Sequence, residues 1–445
     1  IDLKGIGQEP VYELLWGDRP PQPLRQLHRL TRPPLGLPAS LAVGAAMTLA
    51  VMVIRWLGFL QAPELLAYDH LMRQRPVEAI DHRLLVVGIT EDDINRYNYP
   101  LSDQVLAEVL TTIAAHRPRV IGVDLHRSQP KGEGRSAFLR RFRENPNLFI
   151  VCAVSSSTNQ YHSPPEFSAE QLTSQVGFSD IEPDWFSGRE IVRRQFLFHD
   201  PKSLEKPNPN CMTPFSFSWQ LVHRYLHHEG VSIHQHHQPY ATNPQQLGFA
   251  TLQPLQPYFA AYQGWNWPGQ QILLNYRAIV GKPSTQNLAQ FVTLHQVLSG
   301  QVGAELVTDR VVLIGVTAEY QDEFATPYGY MPGVYVHAHM VSQLLSAALD
   351  QRPLIWALPQ WQWLQWGDTL WVLAWATVGS ILSWCLKPGW KLIATSGITI
   401  VVLHYLCLRS LIQGGWMPFV PSTLALLLTI GTFVAYSVVY IPSRK

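Results

Sequence analysis

The sequence predicts an α/β domain on a mainly parallel sheet with flanking helices, carried in a membrane by one helix before it and three after it. Three observations point there. The β-branched runs Leu84–Ile89, 120–125 and Val311–Val316 read as strands buried on both faces, as parallel strands are. Helix-period segments separate them, so strand, helix and strand recur over roughly 40 residues as right-handed βαβ units. Long uncharged apolar runs lie towards the two ends of the chain, around a polar middle.

A chain of 445 residues can hold more than one domain. Its 15% charged and 47% apolar residues tilt it towards membrane proteins. A formal net charge of +1 gives no case for nucleic acid as a partner. The first residue is Ile1 rather than Met, so a fragment or processed product is expected, and residues 1–34 lack the apolar core of a signal peptide. Residues 1–16 read as strand, turn and strand, the end of a cytoplasmic domain. Residues 17–34 form a Pro-rich linker with Arg19, Arg25, Arg29 and Arg32.

Residues 35–54 carry no charge and are long enough to span a bilayer, with Arg55 and Trp56 expected to snorkel at the far end. Residues 370–386, 392–408 and 419–441 read as three later spans. Trp356, Trp361, Trp363 and Trp366 stand before them like an interfacial belt. The domain boundaries follow: the first membrane helix within 35–60, a soluble domain over 61–353, membrane segments over 354–386, 390–412 and 417–441, and a tail at 442–445. With four spans, the linker arginines, Lys387, Lys391, Arg444 and Lys445 share one side. The positive-inside rule makes that side cytoplasmic, with both termini there and the soluble domain outside.

Within the soluble part, Leu84–Ile89 ends at the acidic turn holding Asp92 and Asp93. Leu101, Val105, Leu106, Val109, Leu110 and Ile113 then share one helical face. The second strand closes at Asp124, and 149–154 reads as a third strand. After Val311–Val316 come Asp322, Phe324, Thr326 and Pro327, then Met331-Pro332-Gly333-Val334, His337 and Ala338 at the start of a returning helix. Upstream, Glu64, Asp69, Arg73, Arg75 and Pro76 follow E-x-x-x-x-D-x-x-x-R-x-R-P. Further matches are Ile191–Arg194, the ILLNYR strand at 272–277, Val297-Leu298 with Gly300, and Trp416, Pro418 and Pro421 before the last helix.

This set of motifs resembles CHASE2 domains, the extracytoplasmic sensory modules of bacterial signalling proteins. Gly188-Arg189 replaces the family's Asp-Gly turn, and Tyr99-Pro100 its Trp-Pro. The resemblance implies a sensor or receptor in a bacterial inner or thylakoid membrane, with its domain on the periplasmic or luminal side. LKGI followed by PVYEL at the N-terminus also resembles the closing hairpin of class III nucleotide cyclase domains. Only four residues follow Ile441, so an effector is expected upstream of Ile1 or on another chain. The alternative is a structural or assembly subunit of a larger membrane complex.

The candidate ligand site is the carboxyl edge of the sheet, where Asp92, Asp93, Asp124, Asp322, Thr326 and His337 could converge. Carboxylates there suit a cation or a ligand amine or hydroxyl. Against this stands a structural reading: Asp92 and Asp124 cap helices and turns, Thr326-Pro327 fixes a loop, and His337 is a hydrogen-bonded core residue. Arg193 and Arg194 read as hairpin surface. Cys152 reads as a buried thiol in a strand; a bridge to Cys211 is the other reading, open in an oxidising compartment. His227, His228, His234, His236 and His237 lack helical spacing and a nearby Cys, so they read as a solvated patch, with no metal and no cofactor assigned. No nucleophile elbow, Walker loop or zinc motif is present, so this chain is not read as an enzyme. The partners expected are the bilayer, a small-molecule or environmental ligand, and a second copy or a larger membrane complex.

Overall fold

The computed structural model describes residues 2–3, 7–8, 36–154, 161–185, 188, 190–203, 208–231, 233–234, 245–264, 269–278, 288–319, 321–386 and 388–440. In chain order, helices α1 (Leu37–Trp56) and α2 (Gln61–Arg73) lead into strand β1 (Leu84–Ile89), helices α3 (Glu91–Tyr97) and α4 (Asp103–Ala115), and strand β2 (Val120–Asp124). Helix α5 (Arg135–Glu144), strands β3 (Leu148–Cys152) and β4 (Val176–Phe178), and helix α6 (Phe217–His228) follow. Strands β5 (Gln290–Thr293) and β6 (Val311–Val316) precede α7 (Gly333–Asp350). Three more long helices complete the chain: α8 (Trp366–Cys385), α9 (Trp390–Ile412) and α10 (Phe419–Tyr440).

The six strands pair in the order β5-β1-β6-β2-β3-β4, every neighbouring pair parallel. Period-2 alternation divides the core into two layers. Leu84 and Val86 face α6 and α7 on one side, while Leu85, Val87 and Ile89 face α4 and α5 on the other. The expected apolar face of α4 is this second layer: Leu106, Val109, Leu110 and Ile113 are buried in it. An antiparallel pair, Arg194–Phe198 with Gln270–Leu273, lies outside the main sheet. It brings the Ile191–Arg194 and ILLNYR motifs side by side.

Among the described residues three helices, α1, α9 and α10 over Phe419–Ser437, are long and apolar enough to cross a membrane, not the four expected. Helix α8 falls short because Trp366, Trp371, Trp375 and Trp384, several Ser and Thr residues and Asp368 dilute its aliphatic content. It packs nonetheless against α1 and α10. Its first turn lies beside the end of α1, and α9 ends at Gly415–Trp416, which pairs in parallel with Trp356–Ala357 at the soluble domain. Trp416 packs against Tyr68 and Tyr262. Helices α8 and α9 therefore run the bundle away from the domain and back.

Arg55 does not snorkel. The chain turns back at once into α2, and Arg55, 1% exposed, donates to Glu64 at 2.8 Å, Gln365 at 2.6 Å, Asp368 at 2.8 Å and the Ala260 carbonyl at 2.5 Å. Cys152 is not a free thiol. It is bonded to Cys211, with Cα atoms 5.7 Å apart, because the loop before α6 folds over the end of β3. Arg193 and Arg194 are not surface residues; they are 0% and 3% exposed. Asp69 and Asp184 neutralise Arg193, and Asp184 also accepts from Arg194 at 2.7 Å. At the N-terminus Asp2–Leu3 pairs with Gly7–Gln8; the rest of the expected hairpin, the linker arginines, Lys387, His236, His237 and the 442–445 tail lie outside the described residues.

Candidate functional site at the carboxyl edge of the sheet

Three of the six expected residues meet. Asp124 ends β2, Asp322 lies in the loop after β6, and His337 stands one turn into α7; all line one cleft of about 690 Å³. The local sequence dictates this convergence. Gly315 pairs with Asp124 across β6 and β2, and a Cβ on Gly315 would lie 2.6 Å from the Val334 Cβ, so glycine lets α7 begin hard against the sheet. The Gly333 amide donates to the Asp322 carbonyl at 2.9 Å, which pins the acidic loop to the first turn of α7. A Cβ on Gly333 would meet the Asp322 carboxylate at 2.5 Å. The M-P-G-V motif is thus the sterically permitted seat of Asp322.

The other three residues do local structural work. Asp93 closes a capping box on α3, accepting from the Thr90 amide at 2.9 Å and hydroxyl at 2.7 Å, and it accepts the His295 amide at 2.9 Å. Asp92 is exposed on the same turn and does not line the cleft. Thr326 fixes the tight hairpin between Glu323–Thr326 and Gly329–Pro332, donating to the Gly329 carbonyl at 2.7 Å. The capping expected of Asp92 falls instead to its neighbour Asp93, and Asp124 accepts no capping hydrogen bond among the described residues.

Asp124 and Asp322 present carboxyl groups with no hydrogen-bond partner among the described residues. The nearest cationic candidate, His337 Nε2, is 4.0 Å from Asp124 Oδ1. Burial raises the Asp124 carboxyl to about 7. Burial, and then the charge of Asp124, raises Asp322 to about 6. His337 is 3% exposed and is held neutral: burial pulls it down to about 4 against the opposing charges of Asp322 and Asp180. Its Nδ1 is buried without a partner, so the expected hydrogen-bonded core histidine is not what this residue is. Buried polar groups are ordinarily paired, and leaving one unpaired costs on the order of 1–3 kcal/mol. Groups left so, in a cleft, are the physical mark of a functional site.

Sequence reasoning missed His126, Tyr161 and the site role of Asp180. His126 stands two residues beyond Asp124, where the chain leaves β2, and burial lowers it to about 4. Its ring meets Tyr161 edge-on at 4.9 Å. Asp180 accepts the Val154 amide at 2.8 Å and so closes the floor beside β3. The D-x-H spacing at 124–126 was the available signal; nothing local marks Tyr161.

A larger groove, about 870 Å³, opens where the soluble domain meets the helix bundle. Its one charged lining residue, Arg352, is already spent on Glu78, at 2.7 and 2.9 Å, and on the Asn275 carbonyl at 2.9 Å. That groove holds no unsatisfied charged group of the kind found at the sheet edge. Among the described residues no group of three His, Cys, Asp or Glu side chains is placed to hold a metal ion.

Most of the polar motif residues are cross-braces rather than ligand contacts. Glu64 pairs with Arg55, Asp69 with Arg193, and Arg75 with Asn275 at 2.6 Å. Arg277 donates to Ser342 at 2.8 Å and Ser346 at 2.7 Å on α7. A buried-sheet α/β domain braced onto apolar helices, with a polar cleft at its sheet edge, is the class of molecule these features define. The CHASE2 domain model matches residues 46–381, more than half of the chain, and the chain belongs to the CHASE2 family, a family of extracellular sensory domains. Neither the curated proteins nor the solved structures give a match.

Proposed function

We propose that this chain is a membrane-bound receptor that takes a ligand in the Asp124–Asp322–His337 cleft, outside the cytoplasm, and passes occupancy through the membrane to an N-terminal or separate effector. The observation that carries the reading is that Asp124, partly buried, and Asp322, exposed, line one cleft with the buried, neutral His337, and neither carboxyl group has a hydrogen-bond partner among the described residues. A continuous line of contacts supports transmission. Helix α7 starts in the cleft; Gln343 on it accepts the Asn275 amide at 2.5 Å, and Asn275 accepts from Arg75, just beyond α2. Glu64 on α2 then holds Arg55 at the end of α1. Ligand binding that favours one setting of α7 shifts the population of settings along this line.

Two features support the orientation. A Cys152–Cys211 bridge belongs to an oxidising compartment. The linker arginines ahead of α1 form a basic cluster of the kind that stays at the cytoplasmic face. The N-terminal side of α1 then lies in the cytoplasm, the membrane being a bacterial inner or thylakoid one.

The test is labelling of Glu133→Cys, an exposed position in the soluble domain, in intact cells of a Cys385→Ser background. A membrane-impermeant maleimide should label it without permeabilisation. Labelling only after permeabilisation overturns the reading.

A further inference from the structure

We infer that the sheet-edge cleft is built for a primary ammonium group, held between Asp124, Asp322 and His337, on a ligand with a short apolar body. This deepens the sensing reading by naming its ligand class.

The argument is one of counting and distance. Two carboxyl groups and one neutral imidazole face the cleft without partners among the described residues. A primary ammonium carries three N–H donors and no acceptor. The sets match one to one, with the imidazole accepting at Nε2 and keeping its proton on Nδ1. A hydroxyl offers one donor and would leave two of the three groups unsatisfied. An anion would add a third negative charge to the Asp124–Asp322 pair.

Distance separates an ammonium from a metal ion. His337 Nε2 and Asp124 Oδ1 are 4.0 Å apart. A nitrogen about 2.8 Å from both atoms subtends an angle of about 90°, within the range of good hydrogen bonding. A metal about 2.1 Å from both would need an angle of about 145°, far from tetrahedral. The absence of a three-ligand metal cluster among the described residues agrees with this.

The surrounding charges leave the place open for a cation. Arg127 reaches towards Asp103, at 3.6 Å, and donates to the Leu101 carbonyl at 3.1 Å, so it is turned away from the pair. Asp180 and His126 sit on the floor, the first adding negative charge and the second held neutral by burial. Lys131 also lines the cleft. Tyr99, Tyr161 and Phe324 supply aromatic walls for the apolar body, and rings of this kind favour a cation over a neutral group. Loss of solvent raises Asp124 to about 7, and loss of solvent and then the Asp124 charge raise Asp322 to about 6. Binding a cation ionises them, so affinity should rise with pH until the amine itself loses its proton.

The experiment uses the full chain in lipid nanodiscs, titrated calorimetrically with phenethylamine, its hydroxyl analogue phenethyl alcohol, and zinc. Phenethylamine should bind and the alcohol should not. Asp322→Asn and Asp124→Asn should each weaken the amine at least tenfold. His337→Gln, which keeps an acceptor, should weaken it less than His337→Leu. From pH 8 to pH 5 the amine's Kd should rise at least tenfold. Equal affinity for the alcohol, unchanged amine affinity in both Asn variants, zinc binding without amine binding, or no amine binding at millimolar concentration each overturns the proposal. These outcomes are distinct from failure of the sensing reading: an intracellular domain sinks sensing and leaves amine binding standing, whereas an extracellular domain that binds no amine does the reverse.

Discussion

Arg193 and Asp69, 124 residues apart in sequence, meet inside the protein in a two-pronged pair at 2.8 and 2.7 Å. Asp184 accepts from the same guanidinium at 3.1 Å and takes the Tyr262 hydroxyl at 2.5 Å. The pair joins the helix that leaves the bundle to the strand beside the sheet, so it fixes where the domain stands on its helices.

Removing Arg193 strips the buried Asp69 of its two-pronged partner, while Asp184 keeps Arg194 and the Tyr262 hydroxyl. Arg193→Ala should cost about 3–5 kcal/mol, seen as a fall in melting temperature of roughly 10 °C. Arg193→Lys should recover only part of this, because an ammonium cannot match the two-pronged geometry. A melting temperature within about 1 °C of wild type for the Ala variant would contradict the burial described here.

Arg55→Met should leave amine affinity at the distant cleft within about twofold, since distant sites act independently. It should remove any effect of bound amine on hydrogen exchange in α1 and α2. Persistence of that effect would show that transmission takes another route.

The cleft carboxyls give a pH-dependent prediction with a defined sign. Folded Asp124 titrates near 7, against about 3.9 in an unfolded chain. Between those values the folded state holds the extra proton, so the Asp124 contribution to stability falls as pH rises and is fully lost above about 7. Asp124→Asn should therefore match wild type near pH 4 and exceed it by on the order of 1–3 kcal/mol at pH 7.5. His337, lowered to about 4, works in the opposite sense but is common to both proteins. Urea unfolding across this range reads the difference; a less stable variant at pH 7.5 would mean that Asp124 accepts a structural hydrogen bond.

The disulfide closes a loop of 59 residues, so Cys152→Ser should cost about 4 kcal/mol on the chain-entropy estimate. Non-reducing electrophoresis should show a mobility shift on reduction of denatured wild type that the variant lacks. Free-thiol labelling of denatured, unreduced protein should find Cys385 and Cys407 alone.

What was legible in the sequence was whatever a local period encodes. Leu84–Ile89 and Val311–Val316 announce themselves as strands by composition, and Asp124 is placed at the sheet edge by ending one. What was not legible depends on partners far along the chain. Arg193 reads as surface until Asp69 is known to lie beside it, and Arg55 reads as an interfacial cation until α2 turns Glu64 back onto it. Cys152 and Cys211 show no bonding signal in their spacing. Asp93 and Asp124 are the same residue type after equivalent strands; only the helix starting at Thr90 distinguishes a cap from a free carboxyl. Helix α8 has the length of a span, but its indole rings, hydroxyls and Asp368 keep it less apolar than one, a dilution that reading 370–386 as an apolar run passed over.

The short parallel pairing of Trp356–Ala357 with Gly415–Trp416 has a mechanical consequence. It clamps the chain leaving the domain to the α9–α10 turn at the domain end of the bundle, while Arg55 clamps the chain entering it. A head fastened at two separated points cannot swivel about a single stalk.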